Sequence, residues 1–209
     1  MDLWLVRHGT TGYNLQGRLQ GTLDIPLGEQ GEKEALLLGK RLEKQKFSFF
    51  FSSPLQRTKE TSSIISKQGS FPKPIYTPLI KEYSWGIIQG LTKEEIMNRY
   101  PGLWWELQRN FHHTKIPQAE GMKSLFQRVK SFYTLLSRIS SGYAGEDPIL
   151  VVSHGRFLQA LIVYFIKYNY NNSWPFPVSP ASLTILQEDS QKTRRVKLFN
   201  DTCHLNTEG

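Results

Sequence analysis

Twice in this chain a continuous apolar run ends in His-Gly. The first is Leu3-Trp4-Leu5-Val6-Arg7-His8-Gly9 and the second is Ile149-Leu150-Val151-Val152-Ser153-His154-Gly155. Neither run alternates apolar with polar residues, the pattern of a strand covered on both faces. Such a sheet needs helices above and below it, so the two runs restrict the chain to an α/β architecture. Gly9 is expected to permit a backbone turn that residues with a β-carbon resist. In open α/β sheets ligands bind beyond the carboxyl ends of the strands. Arg7, His8 and His154 stand at those ends. Packing gives no reason to place an imidazole there twice, 146 residues apart.

The rest of the chain supplies the covering layers. Ala35, Leu38 and Leu42 follow helical spacing between Gln30 and about Lys44, and Phe47 to Phe51 reads as a second buried strand. Ser52-Ser53-Pro54 reads as a helix start, a serine cap before a proline in the first turn. Arg57 then lies in the first turn, at the positive end of the helix dipole. A shared anion would explain a guanidinium there, while a solvated surface arginine is the plain alternative. Ile75-Tyr76 is a short strand, and Thr92 with Glu95 caps a helix that Pro101 stops. Trp104 to Gly121 is aromatic and irregular. Met122 to Ile139 is an amphipathic helix, Phe157 to Ile166 a buried one, and strands follow near Ser182 to Leu186 and Val196 to Phe199. The expected fold is a three-layer α/β/α sandwich with a mostly parallel central sheet. It forms one domain over residues 1–209, with a small helical and loop insertion at about 79–121 over the active site.

Composition narrows the partners. The chain is 39% hydrophobic and 21% charged, and no run approaches the roughly 18 apolar residues of a membrane span. The N-terminus enters a strand with no signal-peptide pattern, and a single cysteine, Cys203, forbids an intrachain disulfide. A cytoplasmic protein with no membrane partner is expected. Cys203 lies far along the chain from both His-Gly pairs and is not read as a nucleophile. The net charge of +8 favours an anionic partner. The densest basic cluster, Lys192 to Lys197, reads as the turn into the last strand, and no sequence-reading motif suggests nucleic acid. Adjacent His112 and His113 lack an accompanying Asp, Glu or Cys cluster, so no metal is expected.

Suppose Arg7, His8, Arg57 and His154 converge. Two guanidiniums fork onto phosphate oxygens, and a neutral His8 can attack phosphorus. A protonated His154 would stabilise charge on the equatorial oxygens. The leaving alkoxide needs a proton donor, and Glu82 is the candidate. Burial beside Tyr83 and Trp85 is expected to keep it protonated, against the opposing effect of the cations.

These stretches resemble the histidine phosphatase superfamily, also called the phosphoglycerate mutase-like family, over nearly the whole chain. The resemblance rests on Leu5 to Thr11 with Asn14, on Gln20-Gly21, Asp24 to Leu27 and Gly31, and on Ser52 to Thr61. It continues in Leu79 to Glu82 with Gly86 and Gly90, in Val151 to Gly155, and in Asn200 to Leu205. The resemblance implies a phosphohistidine on His8 that water then hydrolyses. Arg7, Arg57 and His154 would bind the phosphoryl group, with Asn14 and Gln20 assisting and Gly21 and Gly155 completing the substrate-binding set. Glu82 would act as acid and then as base, with no metal and no cofactor. Gln89 departs from the family, many members of which carry a glutamate there, and is read as a change in pocket or loop packing. Glu82 and His154 are 72 positions apart, and the stretch between them lacks the longer, arginine-paired insertion of the mutases. The compact form therefore resembles broad-specificity and α-ribazole phosphatases acting on a small phosphorylated metabolite. Trp104, Trp105, Phe111 and Trp174 could line an apolar pocket or form a small core of their own. Lys81, Lys93, Arg109 and Lys115 could hold a second phosphate. Two alternatives stand: mutase-type phosphoryl transfer, and a non-catalytic module that binds phosphorylated ligands. The sequence leaves the oligomeric state open.

Overall fold

The computed structural model describes residues 1–111, 113–142, 145, 147–169 and 175–206. Six strands form one sheet: β1 (Asp2–Arg7), β2 (Phe49–Ser52), β3 (Ile75–Tyr76), β4 (Ile149–Ser153), β5 (Leu183–Glu188) and β6 (Arg194–Asp201). Their order is β3-β2-β4-β1-β5-β6. The β3-β2, β2-β4 and β4-β1 pairs are parallel, whereas β5 and β6 join antiparallel. The sheet is thus mostly parallel, as expected.

Its two faces are covered separately. Leu3, Leu5, Phe51, Ile149 and Val151 pack on one side with α6 (Met122–Gly142) and α7 (Gly155–Phe165), through Leu125, Val129, Phe132, Phe157 and Leu161. Val6, Phe50, Leu150 and Val152 pack on the other with α2 (Glu29–Leu42) and α3 (Gln56–Ser66), through Leu38, Leu42 and Ile65. Successive strand residues point to opposite faces, so the unbroken apolar runs serve two cores at once. Each such Leu or Phe contributes about 1.5–3 kcal/mol of burial. Tyr83, Trp85, Ile88, Ile96 and Ile116 join the first core, tying the segment near 79–121 to the central sheet.

Local chemistry differs from expectation in four places. Residues 101–110 are helical: Pro101 ends α4 (Lys93–Arg99) and also opens α5 (Pro101–Asn110), because a first-turn position needs no N–H. The cap of α3 is Leu55, not serine, and its side chain makes no capping bond. Asp24 Oδ1 instead accepts from the Gln56 N–H at 2.6 Å, a cap supplied from a distant loop. The polar segment after Gly9 contains a one-turn helix α1 (Gly12–Leu15), closed by a Thr11–Asn14 capping box. Gly9 is needed for close approach rather than for an unusual φ: a β-carbon there would lie 2.4 Å from Gly31 O. The basic cluster is the turn and edge strand read from the sequence, with Arg194 paired to Glu188 and Arg195 to Asp189. Such charges protect an exposed sheet edge. Among the described residues, no helix is long and apolar enough to cross a membrane.

Candidate active site

Register brings the two His-Gly pairs together. Arg7 is opposite Ser153 in the parallel β1–β4 pair, so His8 and His154 follow side by side at the carboxyl edge. The His8 N–H donates to Ser153 O at 3.0 Å, and the ring centroids of His8 and His154 are 5.2 Å apart. β2, on the far side of β4, delivers Ser53 to the same edge, and α3 carries Arg57 back over it.

Arg57 is fully buried and organises this edge. Its Nη1 donates to Leu23 O and its Nη2 to Gly21 O, both at 2.8 Å. Its Nε–H is shared between His8 Nε2 at 3.3 Å and His154 Nδ1 at 3.2 Å. The tautomers follow. His8 Nδ1 faces Gly9 O at 2.7 Å, and a carbonyl only accepts, so Nδ1 carries the proton and Nε2 the lone pair. His154 Nδ1 accepts from Arg57, so its Nε2–H donates to Ser53 Oγ at 2.8 Å. Burial, reinforced by Arg57 and Arg7, pushes His8 well below the usual histidine value; burial, Arg57 and then His8 do the same to His154. Both rings are neutral near pH 7. The condition on which His154 would stabilise charge, its protonation, is thus disfavoured in the free protein by burial and by the two guanidiniums. Burial also lowers Arg57 to about 10, leaving it charged.

Arg7 Nη1 donates to Val178 O at 2.5 Å, while its Nε is buried without a hydrogen-bond partner among the described residues. Gly155, at the start of α7, faces this guanidinium, and a β-carbon there would make only ordinary contact with it, 3.5 Å from Arg7 Cζ. Glu82 caps the same helix. Its Oε1 accepts from Tyr83 N at 2.8 Å, Arg156 N at 3.1 Å and Phe157 N at 3.2 Å, and its Oε2 from Arg156 N at 3.2 Å. The sequence reading placed this carboxyl beside Tyr83 and Trp85, and Trp85 does line the cavity with it. The structure adds its role as an acceptor at a helix N-terminus, while Tyr83 and Trp85 pack on each other with centroids 5.0 Å apart.

A cavity of about 280 Å³ opens above these groups, lined by Arg7, His8, Asn14, Gln20, Gly21, Arg57, Glu82 and Gly155. His154 lies directly beneath, held by Arg57 and Ser53. All nine residues named from the sequence thus converge on one place. The model of the histidine phosphatase superfamily (branch 1) matches residues 3–202. The chain belongs to this superfamily. It is 30% identical over 205 residues to phosphoserine phosphatase 1 of Hydrogenobacter thermophilus, covering 98% of this chain and 94% of that one. It is 31% identical over 165 residues to a 2,3-bisphosphoglycerate-dependent phosphoglycerate mutase of Bartonella henselae, covering 77% and 79%. The crystal structure of the α-ribazole phosphatase from Shigella flexneri superposes with a TM-score of 0.86 at 26% identity, covering 97% of each chain.

This superfamily member completes its cavity with Trp85, named from the sequence as a neighbour of Glu82, and with residues the sequence did not disclose: Arg18, Leu19, Arg156, Gln159 and Val178. Arg156 stood next to the second His-Gly pair, and its position at the start of a helix was the signal available. Gln89 acts through loop packing, as one of the two readings had it. Its Oε1 accepts from Thr22 N at 2.8 Å, Thr22 Oγ1 at 3.1 Å and Trp85 N at 3.3 Å. Gly21, with φ of +53°, sits against it and has no room for a β-carbon. Lys81, Lys93, Arg109 and Lys115 do not line the cavity. Of the aromatic group, Trp105 is mostly exposed, Trp104 packs on the first core, and Phe111 packs 5.5 Å from Trp85. Trp174 and His112 lie outside the described residues. Cys203 is near Asp201 and His204, but Arg41 Nη1 already bonds Asp201 Oδ1 at 2.6 Å and His204 Nδ1 at 3.0 Å. The hydrogen bond to Asp201 raises the thiol above its ordinary value, away from nucleophilic use.

Proposed function

We propose that the protein hydrolyses a small phosphomonoester through a phosphohistidine on His8. The observation that carries this reading is the shared Arg57 Nε–H, which gathers the His8 lone pair and the His154 ring around one buried cation. The orphaned Arg7 Nε adds a donor that a phosphoryl oxygen would satisfy. His8 Nε2 attacks phosphorus while Arg7 and Arg57 neutralise the equatorial oxygens. Asn14 Oδ1 is engaged by Thr11, so its amide nitrogen is the end offered to the anion, with Gln20 and the first amides of α7 at Gly155 nearby. A bound dianion raises the His154 pKa, and the ring then donates rather than accepts. Glu82 protonates the leaving oxygen and later takes a proton from water.

No metal is called for. A dication would meet Arg7, Arg18, Arg57 and Arg156 around the cavity, with Glu82 as the one carboxylate among its described lining residues. We read the substrate as a small phosphorylated metabolite rather than nucleic acid or a membrane. The insertion belongs to one domain spanning 1–209, and the location is cytoplasmic, in keeping with the single cysteine.

The test is a panel of phosphomonoesters assayed for phosphate release with a chelator present. Release that is insensitive to chelator and blocked by vanadate supports the proposal. Loss of activity on chelation overturns the metal-free mechanism. Exchange between 2- and 3-phosphoglycerate without phosphate release moves the reading to a mutase.

A further inference from the structure

We propose that Ser53 positions the His154 ring, so that Nδ1 accepts from Arg57 in the free protein and donates to the phosphoryl group once that is bound. This deepens the phosphatase reading above and rests on it. Ser53 belongs to the Ser52-Ser53-Pro54 stretch that reads as a helix cap, yet the cap of α3 comes from Asp24. Ser53 Oγ lies 2.8 Å from His154 Nε2 and 3.4 Å from Leu55 N, and both Ser53 and His154 are fully buried. Backbone bonds fix the hydroxyl in place: Ser53 N donates to Val152 O on β4 at 3.1 Å, and Ser53 O accepts from Thr58 Oγ1 on α3 at 2.9 Å. The two imidazoles are thus held by opposite nitrogens. Gly9 O holds His8 by Nδ1 and Ser53 Oγ holds His154 by Nε2, so His8 Nε2 and His154 Nδ1 both turn to the Arg57 Nε–H.

The two partners differ in kind. A carbonyl only accepts, so His8 keeps its lone pair on Nε2 and stays a nucleophile. A hydroxyl is neutral and a weaker acceptor than a carboxylate. An aspartate at position 53 would hold His154 as an imidazolium, and Arg57 would lose its acceptor. With serine the free ring stays neutral: burial, with Arg57 from α3, His8 and Arg7 from the end of β1 and Arg128 from α6 facing it, holds it well below the usual histidine value. A phosphoryl oxygen beside Arg57 reverses this balance. At Nδ1 a lone pair would then meet a lone pair, so the ring takes up one proton there, carried in by the ester monoanion or drawn from water. Its charge rises from zero to +1. The Nε2–H stays on Ser53 Oγ, where the bond becomes charge-assisted and stronger. Ser53 therefore favours the imidazolium in the loaded site and the neutral ring in the empty one.

Nitrogen-15 NMR of the histidine rings tests this without a variant. At neutral pH the free wild-type protein should carry the His154 proton on Nε2 alone, and saturating orthovanadate should add a second on Nδ1. A free ring protonated at Nδ1, or a ring still neutral with vanadate bound, overturns the proposal. Ser53→Ala should lower kcat about 10- to 100-fold, the range of one lost bond to a charged group, with KM within about threefold of wild type. The loss should be equal on p-nitrophenyl phosphate and on an alkyl ester, because it arises at the phosphoryl end. The basic limb of the kcat profile should move to lower pH, since the loaded imidazolium then gives up its proton more easily. An unmoved limb with unchanged kcat, a loss confined to KM, or a loss on the alkyl ester alone overturns the proposal. Wild-type protein that releases phosphate from neither ester overturns the phosphatase reading itself.

Discussion

The two ends of the cavity are built differently. The phosphoryl end comes from the sheet: β1, β4 and the segment after β2 deliver His8, His154 and Ser53 in register, and Arg57 closes over them. Its groups are buried, mutually hydrogen-bonded and in place before any ligand arrives, the condition under which electrostatic catalysis is strongest. The leaving-group end is mixed: Arg18 comes from the loop after β1, Trp85 from the insertion, and Arg156 and Gln159 from α7, with Gln89 and Glu95 propping Trp85 and Arg18. On the proposed reading the sheet edge does the chemistry, and the wall meets the rest of the ester.

The comparison breaks first if the edge is dispensable. His8→Ala should lower kcat on phenyl phosphate by about four orders of magnitude or more, with the far-UV circular dichroism unchanged. Next comes the junction of the two ends. Glu82→Gln should slow alkyl esters by about 10²–10³-fold, yet slow p-nitrophenyl phosphate far less, because that leaving group departs without a proton. Equal losses on both ester types would separate Glu82 from proton transfer.

The edge was legible in the sequence because its signals are local and repeated. Two apolar runs each deliver a His-Gly pair, and a shared anion was one of two explanations for the first-turn Arg57. The parallel register that makes His8 and His154 neighbours depends on strand order, yet the common position at a strand end already implied it. The wall was not legible. Arg156 becomes part of the cavity only because Glu82, 74 residues earlier, caps α7 and aims its first turn. The helix at 101–110 was hidden by its aromatic composition and by Pro101, which reads as a stop and serves as a start. The long-range cap from Asp24 displaced a serine cap that the local sequence favoured.

Smaller effects sharpen the contrast. The two imidazoles are neutral when folded and titrate near about 6.5 when unfolded, so the unfolded chain takes up more protons below that pH. Folding stability is complete above about 6.5 and falls as the pH drops toward the lowered folded values, by at most about 1.4 kcal/mol per pH unit for each ring. Urea midpoints between pH 7.5 and 5.5 should therefore fall more steeply in wild type than in His154→Gln; equal slopes would contradict neutral burial. Depressed carboxylates such as Asp201, at about 2, act at lower pH and leave this window clear. At the wall, Gln89→Leu removes the acceptor of three donors and should cost about 1–3 kcal/mol in denaturant unfolding. Arg18→Ala breaks a partly exposed pair with Glu95 and should leave the urea midpoint almost unchanged.

The most direct measurement is to trap the phosphoryl group. Protein mixed with a phosphomonoester and quenched in base within one turnover should carry phosphate on the peptide containing His8, stable in base and labile in acid. The label should be absent from His8→Ala and should persist longer in Glu82→Gln. Phosphate found on any other residue, or turnover in a burst with no label on His8, would contradict the sheet edge as the seat of the chemistry.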